Sequence, residues 1–373
     1  MNGMETPITL HQPKRVEIGR GATAKVGQWA RDSKRCLVVA SRATADFTDR
    51  LGLIGDVQVL DDIPPEPDLP AFEAALAIAR EFRPELVVGL GGGSVMDVAK
   101  LVAALWDLEC SLEDVAGPNR VPGRRTDLVQ VATTAGTGSE AGIRALVTNP
   151  ATQAKIAVES PHLLADLAVL DPELTFSVPP EVTAATGVDA MAHCVEAFTN
   201  IRSHDLVDGY ARLGIGLVGR YLERAVQDGT DAEARAGMML ASYYGGICLG
   251  PVNTAAGHAL AYPLGTHLKL PHGLANAIIF PHVLAFNESA RPEKTAEVAS
   301  ALGLPDSGAN RLLDSAYRFC AELGLEMKLS HHGARPEELS AWAREAHGIR
   351  RLMDNNPRDM TVADVEQIYA AAY

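Results

Sequence analysis

Three imidazoles and one carboxylate are the most chemically suggestive set in this 373-residue chain. Asp189 and His193 stand four residues apart in a helix-like stretch, Glu181–Thr199. That spacing puts a carboxylate and an imidazole on one helical face, about one turn apart. Taken alone the pair is ordinary, and a plain polar contact explains it as well. His258 follows in Ala256-Gly257-His258-Ala259-Leu260, within a helix-like stretch that Pro263 is expected to interrupt, and His272 stands at a turn in Pro271-His272-Gly273. Nitrogen and carboxylate donors without a thiol suit Fe(II) or Zn(II), and Mg(II) or Ca(II) much less. An ion held this way with an open position is a Lewis acid toward an alcohol or carbonyl oxygen.

A second set of residues could hold phosphate. Leu86-Val87-Val88-Gly89-Leu90-Gly91-Gly92-Gly93-Ser94 reads as a strand running through glycines into a helix. Missing side chains let a phosphate approach the backbone, and the new helix offers N–H groups and a positive dipole end. The stretch departs from the GxGxxG fingerprint at Ser94, follows the third β-rich run instead of the first, and lacks the GK[ST] of a P-loop. The next strand ends in Thr133-Thr134-Ala135-Gly136-Thr137-Gly138-Ser139-Glu140, a polar loop. Ligands of open α/β sheets bind at such strand ends, so the two loops together point to a diphosphate-bearing ligand.

These side chains need a scaffold, and the chain supplies two kinds. Apolar β-rich runs at Cys36–Ala40, Val57–Leu60, Leu86–Leu90 and Leu128–Ala132 alternate with amphipathic helices at Leu69–Phe82 and Ser94–Leu105. That alternation predicts a parallel sheet with helices on both faces. The pattern changes at Ser177-Val178-Pro179-Pro180, where a Pro pair marks a boundary. Beyond it come Ala- and Leu-rich helical stretches, among them Asp205–Val226 and Ala232–Leu249, with no strand signal of comparable strength. Two domains follow, residues 1–178 and 179–373, as the length also suggests. A net charge of −14 repels phosphate backbones and argues against a nucleic-acid partner. The apolar runs are too short for a membrane span, and no signal peptide is evident. The five cysteines are scattered, without a CxxC pair, which predicts a reduced, cytoplasmic setting.

In these motifs the chain resembles the iron-containing (group III) alcohol dehydrogenase family. The matching segments are Gly91-Gly92-Gly93-Ser94 with Asp97 and Lys100, Thr133–Glu140, and Lys155 ahead of Asp171-Pro172. The helical half adds Gly187-Val188-Asp189-Ala190-Met191-Ala192-His193, then Gly257–Gly265 and Pro271-His272-Gly273. The resemblance implies an α/β nucleotide-binding domain with a parallel sheet, followed by an all-α metal-binding domain. It implies a metal-dependent oxidoreductase that moves a hydride between NAD(P) and a small alcohol, aldehyde or ketone, and a homodimer. Asp189, His193, His258 and His272 match the family's metal ligands, and iron is the favoured ion over zinc. Gly91, Gly92, Gly93 and Ser94 match its pyrophosphate loop, with Asp97 among the cofactor residues. Thr133, Thr134 and Thr137 match cofactor contacts, and Lys155 a residue near the nicotinamide ribose. Ser41 stands where an Asp favours NAD. With Arg42 next to it the reading leans to NADP or dual use, although Arg42 as a solvated helix-start residue explains the pair nearly as well. Many members carry a proton-relaying histidine where this chain has Tyr262, so Tyr262 is a candidate hydrogen-bond donor or a pocket wall, and His267 a candidate proton carrier. A glycerol-type polyol dehydrogenase or a dehydroquinate-synthase-like enzyme is the alternative on the same scaffold. The latter needs several basic side chains near the metal, where Lys269 is the main one.

Overall fold

The computed structural model describes residues 7–152, 154–304 and 308–373. They divide into two units, Leu10–Ser177 and a second made of Val178–Tyr373 together with residues 7–9. The first unit holds β1 (Arg15–Ile18), α1 (Lys25–Trp29), β2 (Arg35–Ala40), β3 (Asp56–Leu60), α2 (Leu69–Phe82), β4 (Leu86–Gly91) and α3 (Gly93–Leu105). It continues with β5 (Gly117–Pro118), β6 (Asp127–Ala132), β7 (Arg144–Thr148), β8 (Lys155–Glu159) and β9 (Leu167–Leu170). Six strands form one sheet in the order β1-β9-β6-β4-β2-β3, and every pairing in it is parallel. Period-two alternation along β2 sends Leu37 and Val39 into the core with α2 and α3. Cys36, Val38 and Ala40 go to the core on the other face, with α1.

Strands β1 and β9 and the small β5-β8-β7 sheet are additions to the sequence reading. That reading sought continuous apolar runs. β7 instead alternates partly exposed and buried positions, as suits a strand with one covered face.

The second unit is helical, and among the described residues β9 is the last strand. Its elements are α4 (Pro180–Thr199), α5 (Asp205–Gln227), α6 (Ala232–Leu249), α7 (Ala256–Leu268), α8 (His272–Asn287), α9 (Pro292–Ala301), α10 (Ala309–Glu322), α11 (Pro336–Gly348), α12 (Arg350–Met353) and α13 (Val362–Ala371). Pro180 opens α4 at its first position, where a missing N–H costs nothing. From Gly187 to Thr199 every residue of α4 is buried, packed among α5, α6 and α8. Glycines make the approach possible: a β-carbon on Gly187 would lie 2.2 Å from Leu222 and one on Gly214 2.4 Å from the Cys194 sulfur. Pro263 does not interrupt its helix as the sequence suggested, for α7 runs through it to Leu268. No described helix is long and apolar enough to cross a membrane.

Candidate metal centre and cofactor loops

Burial of α4 on all sides turns an ordinary Asp/His pair into a costly one. A buried carboxylate must be paired, and unpaired imidazole nitrogens lose their water. Asp189 and His193 project from α4 toward His258 on α7 and His272 in the first turn of α8. One ligand atom from each of the four lies within 4.8 Å of the others. Asp189 Oδ1 stands at the centre, 3.8 Å from His193 Nε2 and 3.5 Å from both His258 Nε2 and His272 Nε2. Around it His193 stacks on His258 with centroids 4.7 Å apart, and His272 is tilted against His258 at 5.4 Å.

The cluster fits a divalent cation. His258 Nε2 and His193 Nδ1 are buried without a hydrogen-bond partner. A nitrogen-rich set with one carboxylate is the donor chemistry of Fe(II) or Zn(II). The electrostatics are divided among the donors. Burial raises the Asp189 carboxyl, but the charges of His193, His272 and His258 outweigh it and hold the group well below the usual carboxylate range. Burial drives His193 down to about 4 against the pull of Asp189, so it offers neutral nitrogens at pH 7. For His258 burial works downward too, yet Glu196 and Asp189 overcome it and push the ring up to about 10. An ion on Nε2 of His258 must therefore displace a proton.

Glu196 is the residue that sequence reasoning missed. It lies three positions after His193 on the same face of α4, and its Oε1 is 2.7 Å from His258 Nδ1. The other oxygen accepts from the backbone N–H of Ala255. A carboxylate on Nδ1 fixes the imidazole so that Nε2 faces the cluster. Gly257 leaves the room, since a β-carbon there would sit 2.6 Å from Glu196 Oε1. Asn276, one turn after His272, donates to Asp189 Oδ1 at 2.7 Å and lies 3.2 Å from His272 Nε2.

Tyr262 and His267 part company. Tyr262 follows His258 by one turn, with its ring 6.0 Å from that of His272. His267 is nine residues from His258, half a turn round the helix. It stacks on Trp342 at 5.6 Å, and its Nε2 meets Glu345 at 2.7 Å, so the structure does not bring it to the cluster. The Cys194 thiol is inert, pushed up to about 12 by burial.

In the α/β unit the two glycine-bearing loops interlock at the carboxyl ends of β4 and β6. Helix α3 begins after Gly92 with no side-chain cap, leaving its first N–H groups for a ligand. A β-carbon on Gly93 would lie 2.7 Å from Thr137 Cγ2 and one on Gly92 3.1 Å from Thr134 Oγ1, so both threonines pack against the loop. Thr133 is buried, and its N–H donates to Gly91 C=O at 3.1 Å. Ser94 accepts from the Glu66 N–H at 3.1 Å, and Glu66 pairs with Lys155, which brings Lys155 to the same rim. Asp97, expected among the cofactor residues, also holds the second loop. One of its oxygens accepts from Ser139 Oγ at 2.6 Å and the other from the Leu146 N–H at 3.0 Å, so it braces the second loop. Lys100 helps from full burial, donating to Ser139 Oγ and Arg144 C=O, each at 2.8 Å. Ser41 sits at the end of β2 in a turn with Thr44, whose hydroxyl reaches Leu90 C=O at 2.8 Å.

Comparison with known proteins agrees with this geometry. The iron-containing alcohol dehydrogenase model matches residues 13–172, and the model of the C-terminal region of the Fe-containing alcohol dehydrogenase family matches residues 183–373. Long-chain-alcohol dehydrogenase 1 of Geobacillus thermodenitrificans is 36% identical over 326 residues, covering 85% of this chain and 82% of the relative. A crystal structure of 1,3-propanediol oxidoreductase superposes with a TM-score of 0.93 at 28% identity, covering 99% of this chain and 100% of that one. The sulfoacetaldehyde reductase of Bifidobacterium kashiwanohense, solved with NAD+, gives 0.89 at 28% identity, covering 98% and 99%.

Proposed function

The chain belongs to the iron-containing alcohol dehydrogenase family, and from that membership we propose that it interconverts a small alcohol with its aldehyde or ketone by exchanging a hydride with NAD(H). The observation that carries this reading is the convergence of Asp189, His193, His258 and His272 in one helical unit. These four would hold Fe(II), with Zn(II) as the second fit. When bound, such an ion supplies Lewis acidity to the substrate oxygen.

The chain's own residues do the rest. Asp189 contributes the negative charge and His193 a neutral donor. Glu196 holds His258 in the ligating tautomer. Tyr262, its ring 6.0 Å from that of His272, would donate a hydrogen bond to substrate. The N–H groups at the start of α3, with Ser94, Thr134 and Thr137, would cradle the cofactor diphosphate. Lys155 would meet the nicotinamide ribose. An NAD+-bound neighbour favours NAD(H), while the Ser41-Arg42 pair keeps NADP as the second arm of the test.

The experiment is metal analysis joined to a spectrophotometric screen. Protein purified without chelator should carry about one divalent ion per chain, and His258→Ala and His272→Ala should lose it. Loaded with Fe(II) or Zn(II), it should form reduced nicotinamide from short alcohols, diols or hydroxy acids, with kcat/KM compared for NAD+ and NADP+. Full metal occupancy in both variants, or no turnover by the loaded protein, would overturn the reading.

A further inference from the structure

We propose that the substrate carries an anionic group, a carboxylate or sulfonate, on a short chain, and that Arg351 binds it. The inference deepens the dehydrogenase reading and rests on it.

Access to the cluster is one-sided. The side chains of Asp189, His193 and His258 are 3%, 5% and 3% exposed, whereas that of His272 is 30% exposed. The solvent-facing edge of the cluster is therefore the His272 edge, and Tyr262 lies against it, 6.0 Å from ring to ring. Behind that ring stands Arg351. Its guanidinium carbon is 5.7 Å from the Tyr262 centroid, and Nη2 donates to the Tyr262 oxygen at 3.2 Å. Its backbone is held. Asn355 donates to both Arg351 C=O at 3.0 Å and Thr254 C=O at 2.8 Å, which ties the Arg351 turn to the loop leading into α7.

Charge singles this residue out. Its neighbours in the chain and fold are neutralised: Arg350 pairs with Asp354, Arg335 with Glu338 and His267 with Glu345. Among the described residues no carboxylate pairs with Arg351, whose guanidinium donates to the Tyr262 oxygen and lies over its ring. At the cluster itself, Asp189 and Glu196 offset the charge of a divalent ion. Arg351 is left as the unmatched charge at the rim. A neutral alcohol would leave it with a phenol alone, while a carboxylate or sulfonate matches its planar fork with two parallel charge-assisted bonds. Tyr262 joins in, for its oxygen accepts from Arg351 and its proton remains to be donated. The Tyr262 ring links the two, 6.0 Å from the His272 ring and 5.7 Å from the guanidinium carbon, which suits a short chain between the reacting carbon and the anion.

The test uses the metal-loaded protein and compares 2-hydroxyethanesulfonate and 3-hydroxypropanoate with 1-propanol. Wild type should show a kcat/KM ratio of anionic to neutral substrate well above one, and Arg351→Leu should lower that ratio at least about tenfold, the worth of a hydrogen-bonded charge. Arg351→Lys should recover part of it. Calorimetry with the unreactive anions ethanesulfonate and propanoate gives a second readout. Binding should be present in wild type, weakened by salt and lost in Arg351→Leu. Whether sulfonate or carboxylate wins identifies the headgroup. A wild type that favours 1-propanol, or an Arg351→Leu variant with an unchanged ratio and unchanged anion binding, overturns the proposal. Absence of turnover with all three substrates counts against the dehydrogenase reading, and calorimetry still decides the anion site.

Discussion

Replacing Glu196 by glutamine keeps the side-chain volume and removes one acceptor. The carboxylate accepts twice, from His258 Nδ1–H at 2.7 Å and from the Ala255 N–H. A glutamine can accept at one of these positions and must aim its own N–H at a donor in the other. The pair is buried, so the displaced donor finds no water. An unsatisfied buried donor costs about 1–3 kcal/mol. Outer partners of metal-bound histidines alter affinity by about 10–100-fold, and each tenfold is ~1.4 kcal/mol, so the two routes to the magnitude agree. Competition for Zn(II) against a chromophoric chelator, followed at pH 7, should show Glu196→Gln binding at least about tenfold more weakly than wild type. Glu196→Ala should be weaker still, because it leaves both donors unpaired. The assay separates this role from general destabilisation if thermal melts of the metal-free proteins are run in parallel. A Glu196→Gln variant within about twofold of wild type in metal affinity, while His258→Ala binds none, would refute the reasoning.

Further outcomes follow from other contacts. Gly93→Ala places a β-carbon 2.7 Å from Thr137 Cγ2, and overpacking of about 1–3 kcal/mol should weaken NAD+ at least about fivefold by fluorescence titration; an unchanged Kd would count against the interlocked loops. Tyr262→Phe should lower kcat about tenfold, and Tyr262→His should add a kinetic pKa near neutrality; full activity with an unaltered pH profile would reduce Tyr262 to packing. Burial, opposed by its own backbone bond and by Lys100, pushes Glu140 up from 4.5 to about 7. Between those values the folded chain keeps a proton that the unfolded chain releases, so stability falls as pH rises across that window, by about 3 kcal/mol in all. Urea melts of wild type and Glu140→Gln at the two ends of the window should differ by that slope, and parallel pH dependences would exclude it.

The donors of the metal site were legible because their types are few and their spacing helical. The rest depended on burial. Glu196 is one more acid on a helix until α4 proves to be surrounded, at which point its carboxylate needs a partner and His258 needs a tautomer. Asn276 is hidden in the same way, one turn after His272. His267 was misplaced because Pro263 was expected to end the helix; once α7 continues, nine residues carry it to the far side. The glycine loop was readable from composition, but the use of Asp97 as a brace required the position of Ser139, which comes from a different strand end. Strands β2, β4 and β6 announced themselves as apolar runs; β7 and β8, largely half-buried, did not, and β9, four apolar residues long, was too short to stand out.

The seclusion of three donors bears on how an ion comes and goes. Asp189, His193 and His258 lie behind the packing of α4, α7 and α8, which leaves the His272 edge as the solvent-facing way in and out. Passage by the His272 edge parts the ion from three secluded donors at once, and local opening of those helices is the second route out. Zinc outcompetes iron at equilibrium for sites of this donor type. Slow exchange makes the history of the chain count: the ion available while the helices close is the ion retained, even against a thermodynamic preference. Loading the finished fold then reports on passage past His272, and loading during refolding reports on supply. Metal content will accordingly differ between cells grown on different metals while the sequence stays the same.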